Sequence, residues 1–239
     1  MMLKNQLSLK IAYLYPDFLQ GLCDKANLVV FKKRAQERNI NIQIEEIKNE
    51  DKILHSSKYD FYYISGSNVE ALEVCNSHLS LNVSHIKDSA ENEIPMLAIN
   101  CGYVLFGNSF QLDNSPLYHA LSVLNVSSRM SDVPFYSKIK GLTTLVEGPI
   151  VGFSNHLTAT ILENDAKPFL ECAGQQKDGA VYKNVIGTYI TSPILAQNPH
   201  FCDYLISKCL EVKYKHQIPL AKLTDDIEWY SNNYLLEGK

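Results

Sequence analysis

The chain has 239 residues, 46% of them apolar, with a formal net charge of -4 and a pI near 6.0. That apolar content can fill a full core, and an α/β chain of this length is expected to form one domain over residues 1–239. The mild acidity, with no basic run longer than Lys32-Lys33-Arg34, gives no general attraction to nucleic acid or to anionic lipid.

Polar residues interrupt the opening stretch before a signal-peptide core can form, and no segment is long enough to span a bilayer. A cytoplasmic protein without membrane insertion is therefore expected. The six cysteines, at positions 23, 75, 101, 172, 202 and 209, form no CxxC pair and no Cys/His cluster at zinc spacing. Neither a metal site nor a cofactor is indicated. Cys202 and Cys209 lie seven apart on an expected helix, and a shared place in the core explains them.

Lys10 to Tyr15 forms a compact apolar strand, and Leu28, Phe31 and Ala35 then recur at helical spacing. Asp24 suits a cap at the start of that helix, whereas the role of Asn27 stays open. Lys32, Lys33, Arg34 and Arg38 fit a solvated helix face, with contact to an acidic partner patch as the alternative. Ile40 to Ile47 alternates apolar and polar residues. The two strands are expected to be parallel neighbours through the intervening helix. A third strand runs from Tyr59 to Ile64 into the loop Ser65-Gly66-Ser67-Asn68. A helix from about Val69 to Ala90 follows, broken near Ser77 to Asn82, and Pro95 opens the strand that ends at Asn100.

Residues 96–107, Met-Leu-Ala-Ile-Asn-Cys-Gly-Tyr-Val-Leu-Phe-Gly, read as a buried strand, a tight turn and a helix, the framework on which several hydrolases mount a nucleophile. Such an elbow strains its apex residue and crowds the positions two before and two after, which must be small. Asn100 at the apex is flanked in this way by Ala98 and Gly102, whereas Cys101 would be flanked by Ile99 and Tyr103. The apex is therefore assigned to Asn100. A carboxamide has no lone pair comparable to that of a thiolate. The site thus has the shape of an enzyme without its attacking atom.

Strands alternating with helices predict a mostly parallel sheet with helices on both faces and with sites at the carboxyl ends of the strands. Ser65-Gly66-Ser67 and Asn100-Cys101-Gly102 both lie there. The second half reads as more β-rich, with short strands expected at His119 to Val126, Leu142 to Val146, Pro149 to Phe153 and Asn184 to Thr191. Helical spacing returns from Pro199 to Lys213, with Phe201, Leu205, Cys209 and Val212 on one face. The tail from Leu220, acidic and aromatic, is either a last packed helix or a contact segment.

Three stretches carry a resemblance: Asp24 and Asn27 before Lys33-Arg34-Ala35-Gln36-Glu37-Arg38-Asn39-Ile40, then Val151 to His156, and Val185 to Leu195. Together they resemble the triad-type (class I) glutamine amidotransferases of the CobB/CobQ-like branch, and within it the GatD-type glutaminase subunits. The resemblance runs from about Leu9 to Lys213 and implies a flavodoxin-like α/β fold. It also implies a Mur-ligase-like (MurT-type) partner subunit, with lipid II amidation as the setting. The family elbow is similar to Gly-Ile-Cys-Gly-Gly-Tyr-Gln, which places Asn100 in the nucleophile slot and Cys101 on the following glycine. A family stretch similar to Gly-Thr-Tyr-Leu-His-Gly-Pro places Thr191 in the histidine slot. The glycine-rich loop that offers an oxyanion donor is reduced here to Ser65-Gly66-Ser67, and Leu157-Thr158-Ala159-Thr160 stands where substrate-gripping glycines and an arginine are usual.

Thiol hydrolysis of a carboxamide needs a thiolate, a base and oxyanion donors. With nucleophile and base both replaced, the expected protein is a catalytically degenerate subunit. One rival is an active glutaminase using Cys101 with an unrecognised base, and His156, in a family-like loop, is a separate candidate for a replacement base; a buried thiol and a hydrogen-bonded structural histidine after Asn155 in a tight turn are the plainer accounts of these two. A second rival is a module whose former glutamine pocket, lined by Asn100, Thr191 and the Ser65 to Asn68 loop, keeps glutamine or another small molecule without reacting; Ser65, Gly66, Ser67, Gly102 and His156 are the candidate substrate-binding residues.

Overall fold

The computed structural model describes residues 6–19, 21, 24–48, 58–191 and 193–237. Its first half comprises β1 (Ser8–Leu14), α1 (Pro16–Leu19), α2 (Asp24–Gln36), β2 (Asn41–Ile47), β3 (Phe61–Gly66), α3 (Leu72–Ser80), α4 (Val83–Glu91), β4 (Met96–Asn100) and α5 (Cys101–Phe106). There follow β5 (Ser109–Gln111), β6 (Leu117–His119), β7 (Val126–Leu142), β8 (Ile150–Leu162), β9 (Leu170–Cys172), β10 (Lys177–Asp178), β11 (Ala180–Tyr182) and β12 (Val185–Thr188). Three helices close the chain: α6 (Ile194–Gln197), α7 (Pro199–Tyr214) and α8 (Asp226–Glu237).

The main sheet has the order β11-β12-β4-β3-β1-β2, parallel throughout except for the edge strand β11. β1, β3 and β4 read as largely continuous apolar runs because both faces are covered there, whereas the edge strand β2 alternates. Ala12, Leu14, Tyr62, Ile64, Met96 and Ala98 point to one face, where Leu72, Leu79, Ile86 and Val104 of α3, α4 and α5 pack. The alternate residues Ile11, Tyr13, Phe61, Tyr63, Leu97 and Ile99 meet Leu28 and Phe31 of α2 and Phe201, Leu205 and Cys209 of α7. The two-residue period of a strand thus divides one sequence between two cores.

The expected parallel pairing of the first two strands is present, as is the helix break, which falls at Leu81 and Asn82 between α3 and α4. Cys202 and Cys209 are both buried in the second core. Asn27 is buried: its Nδ2 donates to Tyr63 Oη at 3.1 Å and its Oδ1 accepts from the Leu195 amide at 3.0 Å. That ties α2 to the start of α6. The side chain of Asp24 lies outside the described residues, although α2 begins there.

The basic helix face departs from the expectation. Lys32 and Lys33 are exposed, but Arg34 is buried and forks onto both carboxylates Asp203 and Asp225, with its shortest bond, 2.6 Å, to Asp225. Arg38 bonds Asp203 at 2.6 Å and the Ala221 carbonyl at 2.7 Å. A guanidinium satisfies several planar acceptors at once, so these two arginines clasp the C-terminal segment to α2 and α7.

The second sheet, ordered β10-β9-β7-β5-β6 with β8 paired to β7, is antiparallel apart from the β5–β7 pair. Here too the expected boundaries change. The stretch 119–126 contributes only the ends of β6 and β7, and 143–146 forms turn structure after β7 instead of a strand. The strand expected over Pro149 to Phe153 extends to Leu162, pairing along nearly its whole length with β7 across an irregularity between Met130 and Phe135. Among the described residues, no helix is long and apolar enough to cross a membrane.

Candidate functional site at the strand-helix elbow

The strands β3, β4 and β12 are adjacent and parallel, so their carboxyl ends converge on one edge. Ser65 and Gly66 end β3, Asn100 ends β4, and Thr188 to Thr191 leave β12. At Asn100 the backbone turns from strand to helix with φ 53° and ψ -111°, a region that L-residues rarely occupy. The strained residue is the asparagine and not the cysteine after it. A Cβ added at Gly102 would lie 2.6 Å from the Ile64 carbonyl oxygen, which accounts for a glycine two positions beyond the apex. The lost side chain at Gly102 lets α5 start directly against β3.

Asn100 Nδ2 donates to the Asn155 carbonyl at 3.4 Å. The Thr191 amide donates to the Phe153 carbonyl at 2.9 Å, and its hydroxyl donates to the same oxygen at 3.4 Å. Asn100 and Thr191 are therefore both held against one stretch of β8, residues 153–155. Ser154 strengthens the junction through its hydroxyl bond to the Tyr189 carbonyl at 2.9 Å and a bridge to Ile190. Among the described residues, the carboxamide and the hydroxyl bond to protein carbonyls.

Gly66 pairs with Asn100 in the sheet register. A Cβ on Gly66 would fall 2.2 Å from the Leu19 carbonyl oxygen, so α1 packs hard against the reduced loop. Asn68 fixes the same contact, its amide donating to the Leu19 carbonyl and its Nδ2 to the Phe18 carbonyl, both at 2.9 Å. Ser65 is buried and Ser67 exposed. Ser65 and Gly66 belong to β3, so the loop begins two residues later than expected.

Cys101 is the first residue of α5, and its side chain is 0% exposed. Its thiol lies near the Tyr189 phenol, whose pKa burial pushes up to about 12 against the hydroxyl bonds from Thr158 and Thr160, with Cys101 a minor contributor. His156 lies within β8 and not in a tight turn. Its Nδ1 donates to the Thr158 carbonyl at 2.6 Å, and its ring stacks on Tyr189 with centroids 3.8 Å apart. Burial lowers the His156 pKa against that backbone bond, so the imidazole is neutral and held by its surroundings.

His156 and Tyr189, with Tyr103, Phe135, Thr158 and Asp178, line a cavity of about 720 Å³ beside α5. Tyr189 Oη accepts from Thr158 at 2.8 Å and also bonds Thr160. Asp178 accepts from the Thr188 hydroxyl and from the Tyr189 amide, and burial raises its pKa to about 6. The cavity residues that sequence reasoning did not single out are Tyr103, Phe135, Asp178 and Tyr189. Tyr103 carried a signal, as the aromatic two residues after Cys101. Among the described residues no group of His, Cys, Asp and Glu is placed to hold a metal ion.

The profile of the CobB/CobQ-like glutamine amidotransferase domain matches residues 10–199. The GatD subunit of the glutamine-hydrolysing lipid II isoglutaminyl synthase of Staphylococcus aureus (strain N315) is 29% identical over 216 residues, covering 86% of each chain. The corresponding GatD subunit of Streptococcus pneumoniae (strain ATCC BAA-255 / R6) is 24% identical over 225 residues, covering 91% of this chain and 86% of its own. In fold the chain is similar to a crystallised glutamine amidotransferase of Thermotoga maritima, with TM-score 0.54 and 12% identity, covering 98% of this chain and 97% of that one.

Proposed function

Because the chain belongs to the CobB/CobQ-like glutamine amidotransferase family, we propose that it is a subunit of this type that does not hydrolyse glutamine. It serves peptidoglycan-precursor amidation in the cytoplasm beside a Mur-ligase-like (MurT-type) partner, which supplies the ATP chemistry. The setting is supported by relatives that are subunits of lipid II isoglutaminyl synthases. The observation that carries the loss of hydrolysis is the elbow itself: the strained apex with φ 53° bears the carboxamide of Asn100. A nucleophile must project from that apex to reach a substrate carbon. Two observations support the reading: the neighbouring thiol of Cys101 is buried in α5, and Thr191, which the resemblance aligns with the family histidine, donates its hydroxyl to the Phe153 carbonyl.

The test is glutamate release from L-glutamine by the purified chain, alone and with its partner. No release above background is expected, and a glutamine-derived chloroketone leaves Cys101 unlabelled. The double variant Asn100→Cys/Thr191→His is expected to gain measurable release, since it returns a thiol to the apex and an imidazole to its slot. Turnover by the unaltered chain that Cys101→Ala abolishes would overturn this reading in favour of a working glutaminase.

The cavity of about 720 Å³ favours a second reading, a module that binds a small molecule without reacting. A ligand bound only by the folded state raises the melting temperature. A shift with one amino acid or nucleotide, lost on Tyr189→Ala, would select this reading.

A further inference from the structure

α8 is a 12-residue helix in which only one side chain, the polar Asn232, is fully buried. Asn232 Nδ2 donates to the Gln197 carbonyl at 2.8 Å and to Asn198 Oδ1 at 3.0 Å. Trp229, 39% exposed, stacks on His200 with centroids 5.1 Å apart. The opposite side carries Ile227, Tyr230 and Tyr234, which are 81%, 72% and 48% exposed. Their spacing of three and four residues aligns them in one stripe. A helix retained for core stability buries its large apolar side chains. This one turns three of them outward.

The helix is nonetheless held in a fixed place. Asp225, directly before α8, takes two bonds from the buried Arg34, at 2.6 and 3.0 Å, and its carbonyl accepts from the Trp229 amide at 2.9 Å. Lys140 Nζ donates to the Leu236 carbonyl at the other end, at 3.3 Å. Clasping both ends removes conformational freedom before any association, which is the cost that weakens flexible contacts. A rigid aromatic stripe has the composition of an interface anchor.

The charge on α8 selects the occupant. Every charged residue in it is acidic, namely Asp226, Glu228 and Glu237, and the whole chain has a net charge of -4. Stacking α8 on α8 of a second copy would bring like charges together, and anionic lipid would be repelled for the same reason. We propose that the outer face of α8 docks in an apolar groove, rimmed by Lys and Arg, on the Mur-ligase-like partner subunit. This rests on the partner reading above and adds the surface through which it operates.

The experiment measures binding of the purified full-length chain to the Mur-ligase-like subunit of its own source by calorimetry at two salt concentrations. Tyr230→Ala is expected to weaken binding by about 30-fold, the loss typical of a central aromatic anchor. The triple variant Ile227→Glu/Tyr230→Glu/Tyr234→Glu abolishes it with an unchanged melting temperature. Asp226→Lys/Glu228→Lys weakens binding and flattens its salt dependence, whereas Val29→Glu, at an exposed site on α2, leaves it intact. Unaltered chain that binds, together with a triple variant that binds equally well, overturns the assignment of this face while sparing the partner reading. Unaltered chain that does not bind overturns both. Self-association lost in the triple variant overturns the choice of occupant.

Discussion

Replacing Asn100 by glycine and, separately, by alanine isolates the strain at the elbow. Both variants lose the same weak bond from Nδ2 to the Asn155 carbonyl, 3.4 Å long, so that loss cancels in the comparison. What remains is the backbone. With φ 53° and ψ -111°, alanine keeps a conformation that costs an L-residue roughly 1–3 kcal/mol, whereas glycine adopts it without a Cβ clash. Against this, glycine gives the unfolded chain more freedom, which costs about 0.4–1 kcal/mol. Taking about 2 for the strain and about 0.7 for the entropy leaves the glycine variant more stable than the alanine variant by roughly 1.3 kcal/mol.

Urea unfolding followed by circular dichroism measures that difference directly, and in a chain of this size it corresponds to about 3–5 °C in melting temperature. The sign is diagnostic. At an ordinary strand or helix position alanine is the more stable of the two by about 0.5–1 kcal/mol. An alanine variant equal to or more stable than the glycine variant would show that position 100 is not the strained apex. The same pair of substitutions at Cys101, inside α5, is expected to give the ordinary order.

Gly102→Ala places a Cβ 2.6 Å from the Ile64 carbonyl oxygen, a backbone contact that cannot swing away, and is expected to destabilise by about 1–3 kcal/mol in urea unfolding. Arg34→Met leaves Asp203 and Asp225 without their shared guanidinium; since both carboxylates keep some solvent contact, a loss of about 2–3 kcal/mol is expected, at or below the low end for buried pairs. Adding Asp225→Asn to Arg34→Met should cost less than the two single losses combined. Asp178, held up at about 6 from 3.8 chiefly by burial, binds its proton more tightly folded than unfolded. Its contribution therefore favours the native state below about pH 4 and is lost as pH rises through 6. The stability of the unaltered chain relative to Asp178→Asn is expected to fall by roughly 2.4 kcal/mol between pH 4 and pH 7, and parallel stability–pH curves would refute the buried, shifted carboxyl.

The parts of the fold legible in the sequence are those set by local pattern. β1, β3 and β4 are largely apolar runs because both faces of the parallel sheet are covered there, the edge strand β2 shows its alternation, and α7 shows its buried face at helical spacing. The elbow was legible for a steric reason, since only one register leaves small residues around the apex. β7 was not, because Ser131 to Lys140 is largely exposed on both faces and contains Pro134 beside the register irregularity, so no alternation marks it as a strand. Arg34 reads locally as part of a charge run, and its partners lie 169 and 191 residues away. Long-range pairing of that kind leaves no trace in a window of sequence.

The elbow itself separates what the core requires from what chemistry requires. Gly102 is fixed by Ile64, Cys101 and Tyr103 are packed in the core, and Gly187 is small because Tyr103 lies over it, where a Cβ would meet the ring at 2.2 Å. None of these contacts involves the side chain of residue 100, which among the described residues makes one long bond, to the Asn155 carbonyl. The strained turn is therefore held by its neighbours whatever the apex carries. Exchanging the side chain of residue 100 is therefore expected to keep the turn, the sheet edge and the surfaces beyond it.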